Sequence, residues 1–186
     1  RLLAACFTDE RDPLRVEHSV EELVRQRLFA LAMGYEDLND HADLRRDPLL
    51  AAAVGKEDVH GTERRSSKDA GSACASASTL NRLELGGNFS DRYRKVHAKP
   101  EAIEEAVLKL GVRCLPKDSK LLVLDFDATD DPLHGQQEGR FFHGYYDNYC
   151  YLPLYCFCGA VPLWAQLRTS DKDASAGTVE ALEKIV

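Results

Sequence analysis

The sequence has no apolar run approaching the roughly 20 residues that a helix needs to cross a bilayer, which argues against a helical membrane span. The opening stretch Arg1 to Phe7 is too short for a signal peptide and runs straight into Thr8-Asp9-Glu10-Arg11-Asp12, so nothing directs the chain out of the cytoplasm. It begins at Arg1 rather than Met, and we expect it to be cut at the front. A Gly-rich phosphate loop and a Gly-x-Ser-x-Gly nucleophile elbow are both missing, which removes two common enzyme signatures. The cysteines Cys6, Cys74, Cys114, Cys150, Cys156 and Cys158 contain no Cys-x-x-Cys pair. Cys156-Phe157-Cys158 is too tight for the usual zinc half-site and has no second half. At 186 residues and 44% hydrophobic, the chain can build a core without disulfide staples. Its thiols are expected to be buried, those at 156 and 158 in a strand. Positive charge is also short: 24 Lys and Arg face 31 Asp and Glu, a net of −7. Overall, that is a poor electrostatic match for DNA.

The charge is unevenly distributed. Residues 81–120 carry nine basic side chains against six acidic, a net of +3, whereas residues 121–186 carry four against ten, a net of −6. An acidic stretch suits divalent metals, whose charge offsets the carboxylates.

The first part of the chain reads as helical. Val20, Leu23, Val24, Leu28 and Leu31 recur at helical spacing within residues 17–35, with Ser19 as N-cap, Glu21 and Glu22 in the first turn, and Gly34 as C-cap. A second helix is expected over Asp37 to Leu44, and a third from Asp47-Pro48 to Val54 with Gly55 as its stop. Residues 56–78 are polar, rich in Ser, Ala and Gly, and aperiodic, which reads as a loop or linker. Thr79 to Leu85 reads as a short helix, and Pro100 to Leu110 as a clearer one, with Gly111 as its stop.

The pattern then changes. Leu121-Leu122-Val123-Leu124-Asp125-Phe126-Asp127 is apolar on both faces until its end, which predicts a central, fully buried strand. Phe141 to Cys158 and Ala160 to Leu167 are dense in apolar and aromatic residues, with Gly159 between them, and read as a hairpin of two more strands. Trp164 and the tyrosines 145, 146, 149, 151 and 155 are read as core and sheet surface. After a turn region, Thr178 to Val186 begins a helix.

Chemistry concentrates between Leu124 and Gly135. Alternate strand residues share a face, so Asp125 and Asp127 point the same way. Two carboxylates at the end of a strand can hold a hard divalent ion through oxygen ligands. Such ions activate water and stabilise a leaving oxygen in phosphoryl transfer. Spacing alone favours the plainer reading, an Asp-rich turn that satisfies its own backbone donors. Arg92, Arg94, Lys95 and Lys99, beside Tyr93 and His97, form a basic run that could contact DNA phosphates. A solvated face is the plainer reading of that run. His134 reads as an exposed turn residue.

Asp127, Thr129 and Gly135 resemble the first catalytic strand of DDE transposases with an RNase H-like fold. Ser78-Thr79-Leu80-Asn81-Arg82-Leu83-Glu84 resembles the segment that joins the N-terminal helices to the catalytic domain in one bacterial insertion-sequence group. The run Arg25 to Asp37, and Phe142-His143-Gly144-Tyr145 with Leu152-Pro153-Leu154, resemble further parts of the same group, so the likeness covers most of the chain. The resemblance implies a mixed α+β or α/β architecture. An N-terminal helical region and linker would span residues 1–78. An incomplete RNase H-like domain, three strands then a helix, would span residues 79–186 and stop before the family's second Asp and its Glu.

The resemblance also implies an activity. The intact parent would cleave and join DNA at element ends with Mg2+ or Mn2+. Asp127 would be the metal ligand and catalytic carboxylate, with Asp125 adjacent or in its place. DNA would be the partner, a homodimer the working form, and a bacterial, nucleoid-associated cytoplasm the setting. A lone Asp organises two metals poorly, so this chain alone is expected to be inactive. The alternative is a non-catalytic remnant that serves as a DNA- or protein-interaction module, whose truncated sheet would leave an unpaired edge.

Overall fold

The structure is a computed structural model that describes residues 1–85, 94–118 and 120–186. Among the described residues it is a mixed α+β fold with six helices, eight short strands and antiparallel pairing throughout. It divides into two compact units, Arg1–Lys99 and Pro100–Val186.

In the first unit the elements are β1 (Phe7–Asp9), α1 (Val20–Ala32), α2 (His41–Leu44), α3 (Pro48–Val54), α4 (Ala77–Glu84) and β2 (Val96–Ala98). The helix ends are set by local chemistry. Ser19 and Glu22 form a reciprocal capping box: the Ser19 hydroxyl accepts from the Glu22 N–H at 3.2 Å, and the Ser19 N–H donates to the Glu22 carboxylate at 2.7 Å. Asp47 caps α3 by accepting from the N–H groups of Leu49 and Leu50 at 2.7 and 3.2 Å, and Gly55 closes it at φ +99°. The segment expected over Asp37 to Leu44 begins as a 3-10 turn, Leu38–Asp40, before α2.

Leu23 of α1 packs with Ala75, Leu80, Leu83 and Val96. Leu50, Ala51 and Val54 of α3 pack with Ala73 and Cys74. The stretch read as a loop or linker is irregular up to α4 apart from a 3-10 turn at Ser67–Asp69, but its Ala73, Cys74 and Ala75 are part of the core. Gln26, buried in α1, clasps Ala75 from both sides, donating to its carbonyl at 2.9 Å and accepting from its N–H at 2.8 Å. The same amide nitrogen donates to Nδ1 of the buried His41 at 3.0 Å. Polar composition misled the reading because small residues such as Ser72 to Ala75 can be drawn inside when a neighbouring side chain satisfies their backbone.

The second unit comprises α5 (Pro100–Cys114), β3 (Asp125–Ala128), β4 (Asp131–Pro132), β5 (Phe141–His143), β6 (Asn148–Tyr151), β7 (Leu154–Cys158), β8 (Val161–Gln166) and α6 (Thr178–Ile185). One sheet has the order β3-β7-β8 and a second the order β4-β6-β5. The first provides the three strands followed by a helix that the sequence pointed to, consistent with part of an RNase H-like domain. Its core holds Leu154, Cys156, Trp164 and Ala181.

Three expectations are corrected here. Gly111 does not stop α5, which continues to Cys114. A Cβ at Gly111 would lie 2.2 Å from the Pro162 carbonyl oxygen, so the glycine allows helix and sheet to meet backbone to backbone. The run Phe141 to Cys158 is not one strand but β5, β6 and β7. Leu152-Pro153 separates the last two, because proline has no N–H for a ladder. The 121–127 segment is not a buried central strand. Leu121 and Val123 are 80% and 69% exposed, and pairing starts only at Asp125, with β7 alone. Continuous apolar character predicts burial only where layers cover both faces.

A buried carboxylate joins helix to sheet. Glu104 of α5 accepts from Gln166 of β8 at 3.0 Å and lies 3.5 Å from Lys184 of α6. Arg168, also buried, donates to the carbonyls of Leu152, Ala174 and Ala176, holding the turn before α6 against the β6–β7 corner.

Candidate functional site

β3 carries the predicted carboxylates. Its residues alternate in exposure, with Asp125 and Asp127 on the solvent side and Phe126 and Ala128 turned inward. Asp125 sits opposite Phe157 and Asp127 opposite Tyr155 in the antiparallel register with β7. The second edge of β3 has no strand partner among the described residues. The two acids therefore share one accessible face, but on an edge strand rather than an interior one.

Beyond β3, side chains from the second sheet close on the turn. Tyr146 donates its hydroxyl to the Ala128 carbonyl at 3.4 Å, and Asn148 donates to the Asp130 carboxylate at 3.2 Å. Partial burial, then the negative charges of Asp130 and Asp127, push the Tyr146 phenol above its ordinary range. The neighbouring Cys156 thiol is raised by burial first and by Asp125 second. Thr129 is exposed just after the strand, and Gly135 turns the chain at φ +80°, a conformation that favours glycine. Arg140 pins that turn by donating to the Gly135 carbonyl and to Gln136, while its guanidinium stacks 4.7 Å from the Tyr149 ring. Sequence reading missed Tyr146, Asn148 and Asp130 as neighbours of the strand end; nothing in the spacing announces that a second sheet folds back there.

Carboxylate oxygens are the right donor class for magnesium or manganese. No group of three or more His, Cys, Asp or Glu able to hold a metal ion occurs among the described residues. Asp125 and Asp127 thus fit the chemistry of such an ion without completing its ligand set.

A family model described as "Transposase DDE domain group 1" matches residues 1–186. The chain belongs to the DDE transposase family. Membership ties it to DNA transposition and to DNA as substrate, and the family as a whole works with divalent metal. No protein of curated function and no solved structure matches this transposase chain.

The other predicted residues are scattered. Arg94 and Lys95 precede β2 and Lys99 follows it, all in the first unit. Arg92 and Tyr93 lie outside the described residues. His97 is buried, with its Nε2 3.8 Å from Glu10, which suits packing better than contact with DNA. His134 is exposed in the turn after β4. Trp164 is buried, with Lys184 over its ring at 4.9 Å. Cys6, Cys74, Cys150 and Cys156 are buried free thiols, Cys158 is half-buried and Cys114 is exposed. No helix of the described residues is long and apolar enough to cross a membrane.

Proposed function

We propose that the second unit provides part of the catalytic domain of a transposase that cleaves and joins DNA at insertion-sequence ends, with Asp127 as a metal-holding catalytic carboxylate. Family membership over the whole chain supports this reading, together with one geometric fact: Asp125 and Asp127 face solvent from the same side of a β-strand. When bound, a divalent ion would activate water and stabilise the departing 3′ oxygen. The chain's own part is to present the Asp127 oxygens on a rigid ladder, with Asp125 as a second acid two residues away. Tyr146 and Asn148 hold the strand end and the Asp130 turn in place. Two carboxylates are too few to fix a pair of ions, so by this reading the chain is inactive unless further ligands join it. Action as a homodimer on paired DNA ends belongs to the same proposal.

The test is manganese binding followed by electron paramagnetic resonance, on the chain and on Asp127→Asn, beside a strand-cleavage assay of the complete transposase. We expect Asp127→Asn to weaken manganese binding and abolish cleavage, with Asp125→Asn less severe. Cleavage that survives Asp127→Asn would overturn the assignment. A second reading, a strand-pairing interaction module, draws on the exposed Leu121 and Val123 leading into the open edge of β3. It predicts concentration-dependent association that Val123→Lys suppresses, measured by analytical ultracentrifugation.

A further inference from the structure

The strongest unassigned feature is a cleft in the first unit, about 350 Å³, lined by Arg11, Arg15, Glu17, His18, Arg82 and Lys95 among others. Its charges are unequally engaged. Arg11 is held by Asp9 through two hydrogen bonds of 2.7 Å. Arg15 lies 3.5 Å from Asp12, and Glu17 is taken by Arg64 at 2.9 Å and by the Arg65 N–H at 3.1 Å. Each lining acid therefore has a cation of its own. The exposed side chains of Arg82 and Lys95 have no ion pair or hydrogen bond among the described residues. The cleft is left with two unneutralised positive charges.

A second observation points the same way. His18 is 6% exposed and lines the cleft. Arg64 can only donate to His18 Nε2, at 2.9 Å, so the neutral ring carries its proton on Nδ1. That Nδ1–H has no partner in the protein. A buried donor left without an acceptor, on a residue that lines a cationic cleft, is a group whose natural complement is an oxyanion. Across Arg82, a neighbouring depression is lined by Asn39, Ser78, Asn81 and Arg94, side chains that also suit phosphate oxygens.

We infer that this cleft beside α4 is a DNA-backbone site in which Arg82 and Lys95 each neutralise a phosphate of duplex DNA. The inference rests on the transposase reading for its choice of DNA over another polyanion, but not on Asp127 or metal. It keeps Lys95 of the basic run at 92–99 and joins to it Arg82, ten or more residues earlier, on one surface.

The experiment is fluorescence anisotropy of a short labelled duplex with the full chain, in EDTA, across a series of salt concentrations. Arg82→Gln and Lys95→Gln should each weaken binding about tenfold at low salt. Each should also make the logarithmic salt dependence shallower by about one ion. Arg82→Lys should restore most of the loss, and Lys109→Gln in the second unit should bind as the unaltered chain does. Both glutamine variants change exposed side chains, and unchanged far-UV circular dichroism will verify their fold. Unchanged salt slopes in them, or an equal loss in Lys109→Gln of the second unit, would refute the site while leaving the cleavage assay to judge the catalytic reading. Absence of duplex binding, or thermal protection by inorganic phosphate without any by the duplex, would also overturn it.

Discussion

The two units hold themselves together by different means. The first relies on side chains that reach back to satisfy buried backbone: Gln26 clasps Ala75, Arg64 donates to the Ser72 carbonyl at 3.0 Å, and ion pairs such as Lys56–Glu22 at 2.7 Å tie loops to α1. The second has one such clasp, Arg168 on the carbonyls of Leu152, Ala174 and Ala176, and otherwise relies more on backbone ladders and on close approach of α5 to β8 at Gly111 and Pro162. A fold stabilised by a few polar clasps is vulnerable at single side chains. One stabilised by backbone contact is vulnerable where any side chain is added.

The largest break in that comparison should come from Gln26→Ala. It strands the Ala75 N–H and carbonyl and the His41 Nδ1 in the core, costing about 3 kcal/mol. Urea unfolding should show the loss, and Gln26→Glu should not rescue it, because a carboxylate cannot donate to the Ala75 carbonyl. Next, Gly111→Ala should cost about 2 kcal/mol by forcing α5 away from Pro162, read from the near-UV signal of Trp164, which lies in the second unit. An unaltered Trp164 signal would show that the helix and sheet can part without penalty.

Acid should act on the first unit through His18. Burial first, then the nearby charges of Lys56 and Arg64, lower its pKa from 6.5 to about 3. The folded state therefore prefers the neutral ring. Stability from this group is fully present above pH 6.5 and is lost as pH falls toward 3, by up to about 1.4 kcal/mol per pH unit. His18→Gln should flatten that slope in pH-dependent denaturant melts; an identical slope would remove His18 as its source. The smallest effect belongs to Arg140→Ala, which breaks an exposed stacking contact with Tyr149 worth about 0.5 kcal/mol. It should loosen the 135–140 turn to proteolysis with little change in melting temperature.

Signals that act over one or two turns of chain were legible. Ser19, Asp47-Pro48 and Gly55 set helix ends through contacts a few residues apart, and the alternation that puts Asp125 and Asp127 on one face is a property of any strand. Legibility failed where one residue's meaning depended on a distant partner. Gly111 looked like a helix stop because nothing local announces Pro162, and residues 72–75 looked like linker because nothing local announces Gln26. Of the candidate site, the carboxylates could be read; the closure by Tyr146 and Asn148 could not.

By itself, then, the order of residues determined the helix caps, the strand chemistry and the presence of paired acids, since these follow from short-range geometry and hydrogen bonding. Only the tertiary structure decided that β3 is an edge, that small polar residues enter the first core, and that Arg82 and Lys95 face one cleft. Burial and electrostatic pairing depend on which distant groups arrive as neighbours, and no local pattern encodes that.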